Sequence, residues 1–201
     1  SDFLAEDVDA IFFDADGDAD LDLYVVSAGN EFPSTAKSIR DRLYIWENKN
    51  YVKKDNLPDI GQHGSVVTSY DYDNDGDNDL FIAGRVISGK YGYSPKSYFL
   101  NNNGKGIFSV DSVNSFSYDY GMITDAIWDD IDNDGLKELI TCGDWSGINI
   151  YNNRDGIMSK DTNFIGSQLK GLWFSIHIVD LNNDGKKDIV AGNFGENNKL
   201  N

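Results

Sequence analysis

"TSYDYDNDGDNDLFIAG", residues 68–84, places five aspartates, Asp71, Asp73, Asp75, Asp77 and Asp79, within nine positions and directly against an apolar run. Like charges this close repel one another, and the repulsion grows next to a low-dielectric core. Either the segment is a solvated acidic loop or a cation sits inside it. The rest of the chain decides between the two.

The stretch recurs. "DADGDADLD" spans 14–22, "DYDNDGDND" 71–79, "DIDNDGLKE" 130–138 and "DLNNDGKKD" 180–188, with starts 57, 59 and 50 residues apart. Self-similarity at such a period is the mark of a repeat architecture. In every copy, positions 1, 3, 5 and 9 carry an oxygen-bearing side chain, and position 6 is glycine except for Ala19. A hard divalent cation reconciles charge with fold. Calcium takes six to eight oxygen ligands, and short side chains at alternate positions of a tight turn point inward. The candidate ligands are Asp14, Asp16, Asp18 and Asp22; Asp71, Asp73, Asp75 and Asp79; Asp130, Asp132, Asp134 and Glu138; Asp180, Asn182, Asp184 and Asp188. Position 7 would contribute its backbone carbonyl, at Asp20, Asp77, Leu136 and Lys186, whose side chains vary freely. Up to four calcium ions are expected. An EF-hand begins in the same way but needs a glutamate at position 12 and flanking helices. Here position 12 holds Val25, Ile82, Thr141 and Ala191, so that reading fails.

Strands flank the loops. "VDAIFF", "SVVTSY", "TDAIWD" and "FSIHIV" precede them, and "LYVVSAG", "LFIAG", "LITCG" and "IVAG" follow. Such β-branched and aromatic runs bounded by turn residues read as hairpins. A second hairpin with an Asn-rich turn follows in "RLYIWENKNYVKKD", "SYFLNNNGKGIFSVD" and "INIYNNRDGIMSKD". Four antiparallel strands per unit is the content of a propeller blade. The expected fold is all-β: a single partial β-propeller segment over 1–201. Its repeats run over about 8–62, 63–118, 119–170 and an incomplete 171–201, or some three and a half blades. Such a stack cannot close on itself, so it is expected to meet further sequence or to self-associate through its open blade edges. The chain reads as a piece of a longer protein.

Composition narrows the partners. A net charge of −17 over 201 residues disfavours nucleic acid and anionic membrane. No apolar run approaches the roughly 20 residues of a membrane span. The lone cysteine, Cys142, fills a slot held elsewhere by Ala28, Ala83 and Ala191, and reads as a small core residue.

With these residues in place the chain resembles the FG-GAP/VCBS repeat proteins, whose calcium-binding blades are also seen in integrin α-subunit propellers. "LDLYVVSAGNEF", "DLFIAGRV" and "DIVAGNFGEN" further resemble the ASPIC/UnbV-associated repeats of cartilage-acidic-protein-like proteins. The resemblance implies an extracellular or cell-surface setting, with a periplasmic one also compatible, and a role in adhesion or ligand binding.

Because strands alternate in direction, the loops joining second to third strands lie opposite the acidic turns. They are "NEFPSTAKSIRD", "RVISGKYGYSPK" and "DWSG". They gather Arg40, Arg42 and Arg85 with Tyr91, Tyr93 and Trp145, a combination suited to a protein or glycan ligand. Ordinary solvated loops with aromatics packed on neighbouring blades would have the same composition. An enzyme is the weaker reading. His177 sits inside an apolar strand and reads as core, His63 has no evident partner, and no nucleophile elbow or phosphate loop appears. In its stronger form this alternative is a polysaccharide-lyase-like propeller with catalytic residues mostly outside the segment.

Overall fold

A computed structural model describes residues 5–29, 36–61, 63–117 and 119–195. The first four residues, 30–35 of the first ligand-side loop and 196–201 of the last motif lie outside the described residues. The strands are β1 (Glu6–Phe13), β2 (Asp22–Ala28), β3 (Arg42–Glu47), β4 (Asn50–Lys54), β5 (His63–Tyr70), β6 (Asp79–Val86) and β7 (Tyr98–Asn101). There follow β8 (Ser109–Val110), helix α1 (Ser112–Ser117), β9 (Met122–Asp129), β10 (Glu138–Ser146), β11 (Asn149–Arg154), β12 (Ile157–Lys160), β13 (Gly171–Val179) and β14 (Asp188–Asn193). They form antiparallel sheets in the order β1-β2-β3-β4, β5-β6-β7-β8 and β9-β10-β11-β12, with the β13-β14 hairpin beyond. The fold is a partial β-propeller.

Each acidic turn closes the first hairpin of its unit in the same register. Phe13 pairs with Asp22, Tyr70 with Asp79, Asp129 with Glu138, and Val179 with Asp188. Residues on the two faces of the second and third sheets pack against different neighbours, which is why their strands are apolar on both sides. Phe13, Val26 and Ile45 of the first unit meet Val67, Leu80 and Ile82 of the second. Phe81, Phe99 and Tyr72 of the second meet Ile123, Trp128 and Tyr151 of the third. Ile140, Cys142 and Ile150 of the third meet Ile176, Ile178 and Ile189 of the last hairpin. Three cores therefore lie between blades. Cys142 is fully buried in the third, and burial pushes its thiol up to about 11. It is the packed small residue expected in the alanine slot.

Three local departures have physical causes. The "DWSG" connection is so short that β10 runs on to Ser146 and changes partner. Asp144 pairs with Met122 on one side and Leu172 on the other, and Ser146 pairs with Gly171. The third sheet is thereby hydrogen-bonded to the last hairpin. In the second unit the fourth strand is only two residues long, because Asp111 caps helix α1 by accepting the Val113 N–H at 2.8 Å. Finally, His177 is exposed rather than core, because the outer face of β13 has no blade over it among the described residues.

Candidate functional site

The turn geometry is repeated in detail. In the second, third and fourth copies the position-1 carboxylate accepts the N–H of position 5 and of the glycine at position 6. Asp71 takes Asp75 and Gly76 at 3.1 Å each, and Asp130 takes Asp134 and Gly135 at 3.1 Å each. Asp180 takes Asp184 at 3.2 Å and Gly185 at 2.9 Å. The position-5 carboxylate then accepts the N–H of position 7: Asp18 from Asp20, Asp75 from Asp77, Asp134 from Leu136 and Asp184 from Lys186, at 2.8–3.0 Å. Position 7 is thus held by its backbone, as its variable side chains require.

Two residues per turn are left-handed, at positions 4 and 6: Asn74 and Gly76, Asn133 and Gly135, Asn183 and Gly185. Asparagine and glycine tolerate that region. The first copy exchanges them, with Gly17 at φ 81° and Ala19 at φ 69°. Gly17 donates to Asp14 at 2.8 Å and Ala19 at 2.9 Å. The turn keeps its two left-handed positions and its bond to position 6 despite Ala19, while the second bond to Asp14 comes from position 4 instead of position 5.

The carboxylate at position 9 ties the turn to the sheet. Asp22 accepts the Ala15 N–H at 2.8 Å through Oδ2 and the Trp46 N–H of β3 at 2.8 Å through Oδ1. Asp79 takes the Asn102 N–H at 2.9 Å, and Glu138 and Asp188 take Ile131 and Leu181 at 3.0 Å. Asp22, Asp79 and Glu138 are buried.

Three of the turns gather carboxylate oxygens that all lie within 4.8 Å of one another: Asp14, Asp16 and Asp18; Asp71, Asp73 and Asp79; Asp130, Asp132 and Glu138. Calcium–oxygen bonds of about 2.3–2.6 Å put ligand oxygens at most about 5 Å apart. Two atoms test the fit directly. Asp16 Oδ1 and Asp79 Oδ2 are buried and have no hydrogen-bond partner among the described residues. A buried carboxylate oxygen without a donor is costly, and a cation supplies what is missing. The electrostatics agree. Burial first, then Asp73 and Asp75, push Asp79 up to about 7. Burial first, then Asp132, Asp134 and Asp130, push Glu138 up to about 7. Asp16 is raised by burial and by Asp22, and Asp73 by burial and by Asp75. In the fourth turn Asn182 replaces the carboxylate at position 3 and donates to Asp184 at 3.2 Å. Among the described residues no three carboxylates converge there.

Neighbouring blades are tied by side chains that the motif does not include. Asp9 accepts the Val67 N–H of the next blade at 2.8 Å, and Asp125 accepts the Ile176 N–H at 2.8 Å. The shared "DAI" of "VDAIFF" and "TDAIWD" was the available signal. Asn102 donates to the Ala15 carbonyl at 2.9 Å, and Asn153 to the Tyr72 carbonyl at 2.7 Å. Those carbonyls belong to position 2 of the preceding acidic turn, so the first and second turns are each braced by the blade that follows.

The six loop residues of the expected ligand face divide into two places. Arg40 is exposed and paired with Asp59 at 2.6 Å, while Arg42 is buried in β3 and paired with Asp7. Both line a cleft of about 590 Å³ in the first blade, together with Lys53 and Leu57. Arg85, Tyr91 and Trp145 instead come together. Arg85 Nε donates to the buried Asp144 at 3.0 Å, the Tyr91 hydroxyl donates to the same carboxylate at 3.4 Å, and the Tyr91 and Trp145 rings lie 5.2 Å apart. Tyr93 is exposed in the same loop. The His63 side chain lies outside the described residues.

Comparison with known proteins places this arrangement. The model of the FG-GAP-like repeat matches twice, over residues 71–141 and 130–191. Among solved structures the chain is similar to an Agrocybe aegerita lectin described as recognising non-reducing terminal N-acetylglucosamine. The identity is 16%, the TM-score 0.55, and 90% of this chain and 45% of that one are covered. It is also similar to the exotype rhamnogalacturonan lyase YesX, with 16% identity, a TM-score of 0.54, and 94% and 39% coverage. The chain spans under half the length of either protein. No curated protein matches it.

Proposed function

Because the chain belongs to the FG-GAP-like repeat family, we propose that it is a calcium-binding β-propeller module which holds a protein or glycan ligand, or serves as a scaffold, without being an enzyme itself. Its setting is extracellular, at the cell surface or periplasmic. The observation that carries the calcium reading is the repeated convergence of carboxylates, with Asp16 Oδ1 and Asp79 Oδ2 buried and lacking a donor among the described residues. The acidic side chains are taken up by turns and blade contacts, which leaves the opposite loop face for a ligand. The outer faces at the two ends of the stack, bare among the described residues, are where further blades or a second copy would sit.

Calcium sites of extracellular modules have dissociation constants of about 10⁻⁴–10⁻³ M. With free calcium about tenfold above that, each filled site adds about 1.4 kcal/mol to the folded state. Three filled turns then add about 4 kcal/mol, a large part of the stability of an ordinary domain. Chelation should therefore lower the melting temperature markedly, and calcium should restore it better than magnesium, which demands tighter octahedral geometry. Asp75→Ala or Asp134→Ala should reproduce part of the loss. A melting curve indifferent to chelator, in protein confirmed metal-free by elemental analysis, would sink the calcium reading.

A further inference from the structure

Trp145 is a large aromatic residue at an exposed and strained position. It is the unpaired residue of a β-bulge: Asp144 pairs with Leu172 and Ser146 with Gly171, and Trp145 between them has no partner across the ladder. Its backbone is left-handed, φ 54°, a conformation that L side chains other than asparagine rarely adopt. Bulges of this kind re-aim a side chain, and here the indole is turned out of the sheet until 54% of the residue is exposed. Strain spent to expose a large apolar ring is a mark of function rather than of packing.

The surroundings form a small recognition corner. The Tyr91 ring stands 5.2 Å from the indole at 58°, and Tyr91 is itself 60% exposed. Gly92, next to Tyr91 in the chain, also borders the indole, and an added Cβ there would lie 3.6 Å from it. Polar groups are fixed beside the rings by one buried carboxylate. Asp144 accepts from Arg85 Nε at 3.0 Å and from the Tyr91 hydroxyl at 3.4 Å, which orients a half-exposed guanidinium and a phenol towards the same space. Arg85 also lies 5.9 Å from the Phe174 ring, so the corner is anchored on the second blade, the third and the last hairpin at once.

We propose that this corner is a carbohydrate site, taking one pyranose ring against Trp145 and Tyr91 with its hydroxyls met by Arg85 and the Tyr91 phenol. The C–H face of a sugar stacks on aromatic rings, and its hydroxyls need oriented donors and acceptors; the Tyr91 and Trp145 rings, 5.2 Å apart, supply the first, and Arg85 and the Tyr91 hydroxyl, both held by Asp144, supply the second. A protein partner needs a contact of about 1,200 Å² or more, for which two rings are a small anchor. Asp144 is a positioning residue, since it is buried beneath the two groups that would touch the sugar. The inference rests on reading the chain as a binding module, and it names the ligand class of that module.

The test uses the full chain in calcium, titrated with methyl glycosides of glucose, galactose, mannose, N-acetylglucosamine and galacturonic acid. Binding is read by saturation-transfer NMR and tryptophan fluorescence. At least one glycoside should bind, and Trp145→Gly and Tyr91→Ala should each weaken it at least about tenfold. Trp145→Gly relieves a left-handed backbone, so its melting temperature should be unchanged or higher, an outcome that a merely structural tryptophan would not give. Failure of every glycoside to bind, or binding that survives Trp145→Gly, would overturn the proposal. Either result leaves the calcium dependence of melting untouched, so the two readings fail separately.

Discussion

At the scale of single residues, the acidic turn is a device for pointing oxygens inward, and its cost falls on the two left-handed positions. Asn at position 4 and Gly at position 6 meet that cost in three copies, whereas the first copy has Gly17 and Ala19. A residue with a Cβ in this region costs about 1–2 kcal/mol, of which glycine's greater freedom in the unfolded chain returns part. Ala19→Gly should therefore stabilise the protein by about 0.5–1 kcal/mol, seen as a higher denaturation midpoint at unchanged slope. A loss of stability would mean that the Ala19 methyl makes contacts which outweigh its strain. Positions 1, 3, 5 and 9 were legible in the sequence because clustered like charge, repeated at one spacing beside apolar strands, calls for a cation to offset its repulsion. The double duty of position 9 was not. Its second partner, the N–H of Trp46 or Asn102, lies some 23 or 24 residues away, in β3 or just past the end of β7, whose register no local pattern specifies.

At the scale of elements, alternating apolar runs and turn residues indicated the hairpins, and the shared register of the four closing pairs follows from the motif. What the sequence hid was whatever depends on a neighbour. Helix α1 replaces most of a fourth strand because Asp111 offers a cap, and β10 changes partner because its following loop is too short to turn away. Asp41 is another such residue, invisible as a motif yet central to the junction of β2 and β3. It accepts the Ser27 N–H at 3.0 Å and the Tyr24 hydroxyl at 2.9 Å, and burial pushes its carboxyl up to about 7. The folded-state value lies above the unfolded one. The stability it contributes is fully present below about pH 4, where both states are protonated, and is lost as pH rises towards 7, because the unfolded chain ionises first. Asp41→Asn keeps an acceptor for Ser27 and removes the ionisation. The difference in unfolding free energy should shift in favour of the variant between about pH 4 and 7, by at most about 1.4 kcal/mol per pH unit, and then level off. A flat difference across that range would show that Asp41 ionises as readily in the fold as outside it.

At the scale of the molecule, the three inter-blade cores define a direction, and among the described residues the stack ends on two bare faces. On β1 the residues facing away from the second blade include Val8 and Phe12, 48% and 55% exposed, while Ile11 and Phe13 face inward. On the last hairpin Val179 and Val190 point outward beside His177, and Ile176, Ile178 and Ile189 point inward. The same alternation that builds a core between blades therefore offers half a core at each end. Apolar faces of this kind are covered in propellers by the neighbouring blade, and each of the two similar structures is more than twice as long as the part this chain matches. The 201-residue chain by itself should thus associate reversibly in calcium, with a weight-average mass that rises with concentration in sedimentation equilibrium. Phe12→Ser combined with Val190→Ser should suppress the association while leaving the circular dichroism unchanged, because neither side chain contributes to an inter-blade core. A chain that stays monomeric up to about millimolar concentration would mean that its ends are tolerated in water as they stand, as scattered surface apolar residues are.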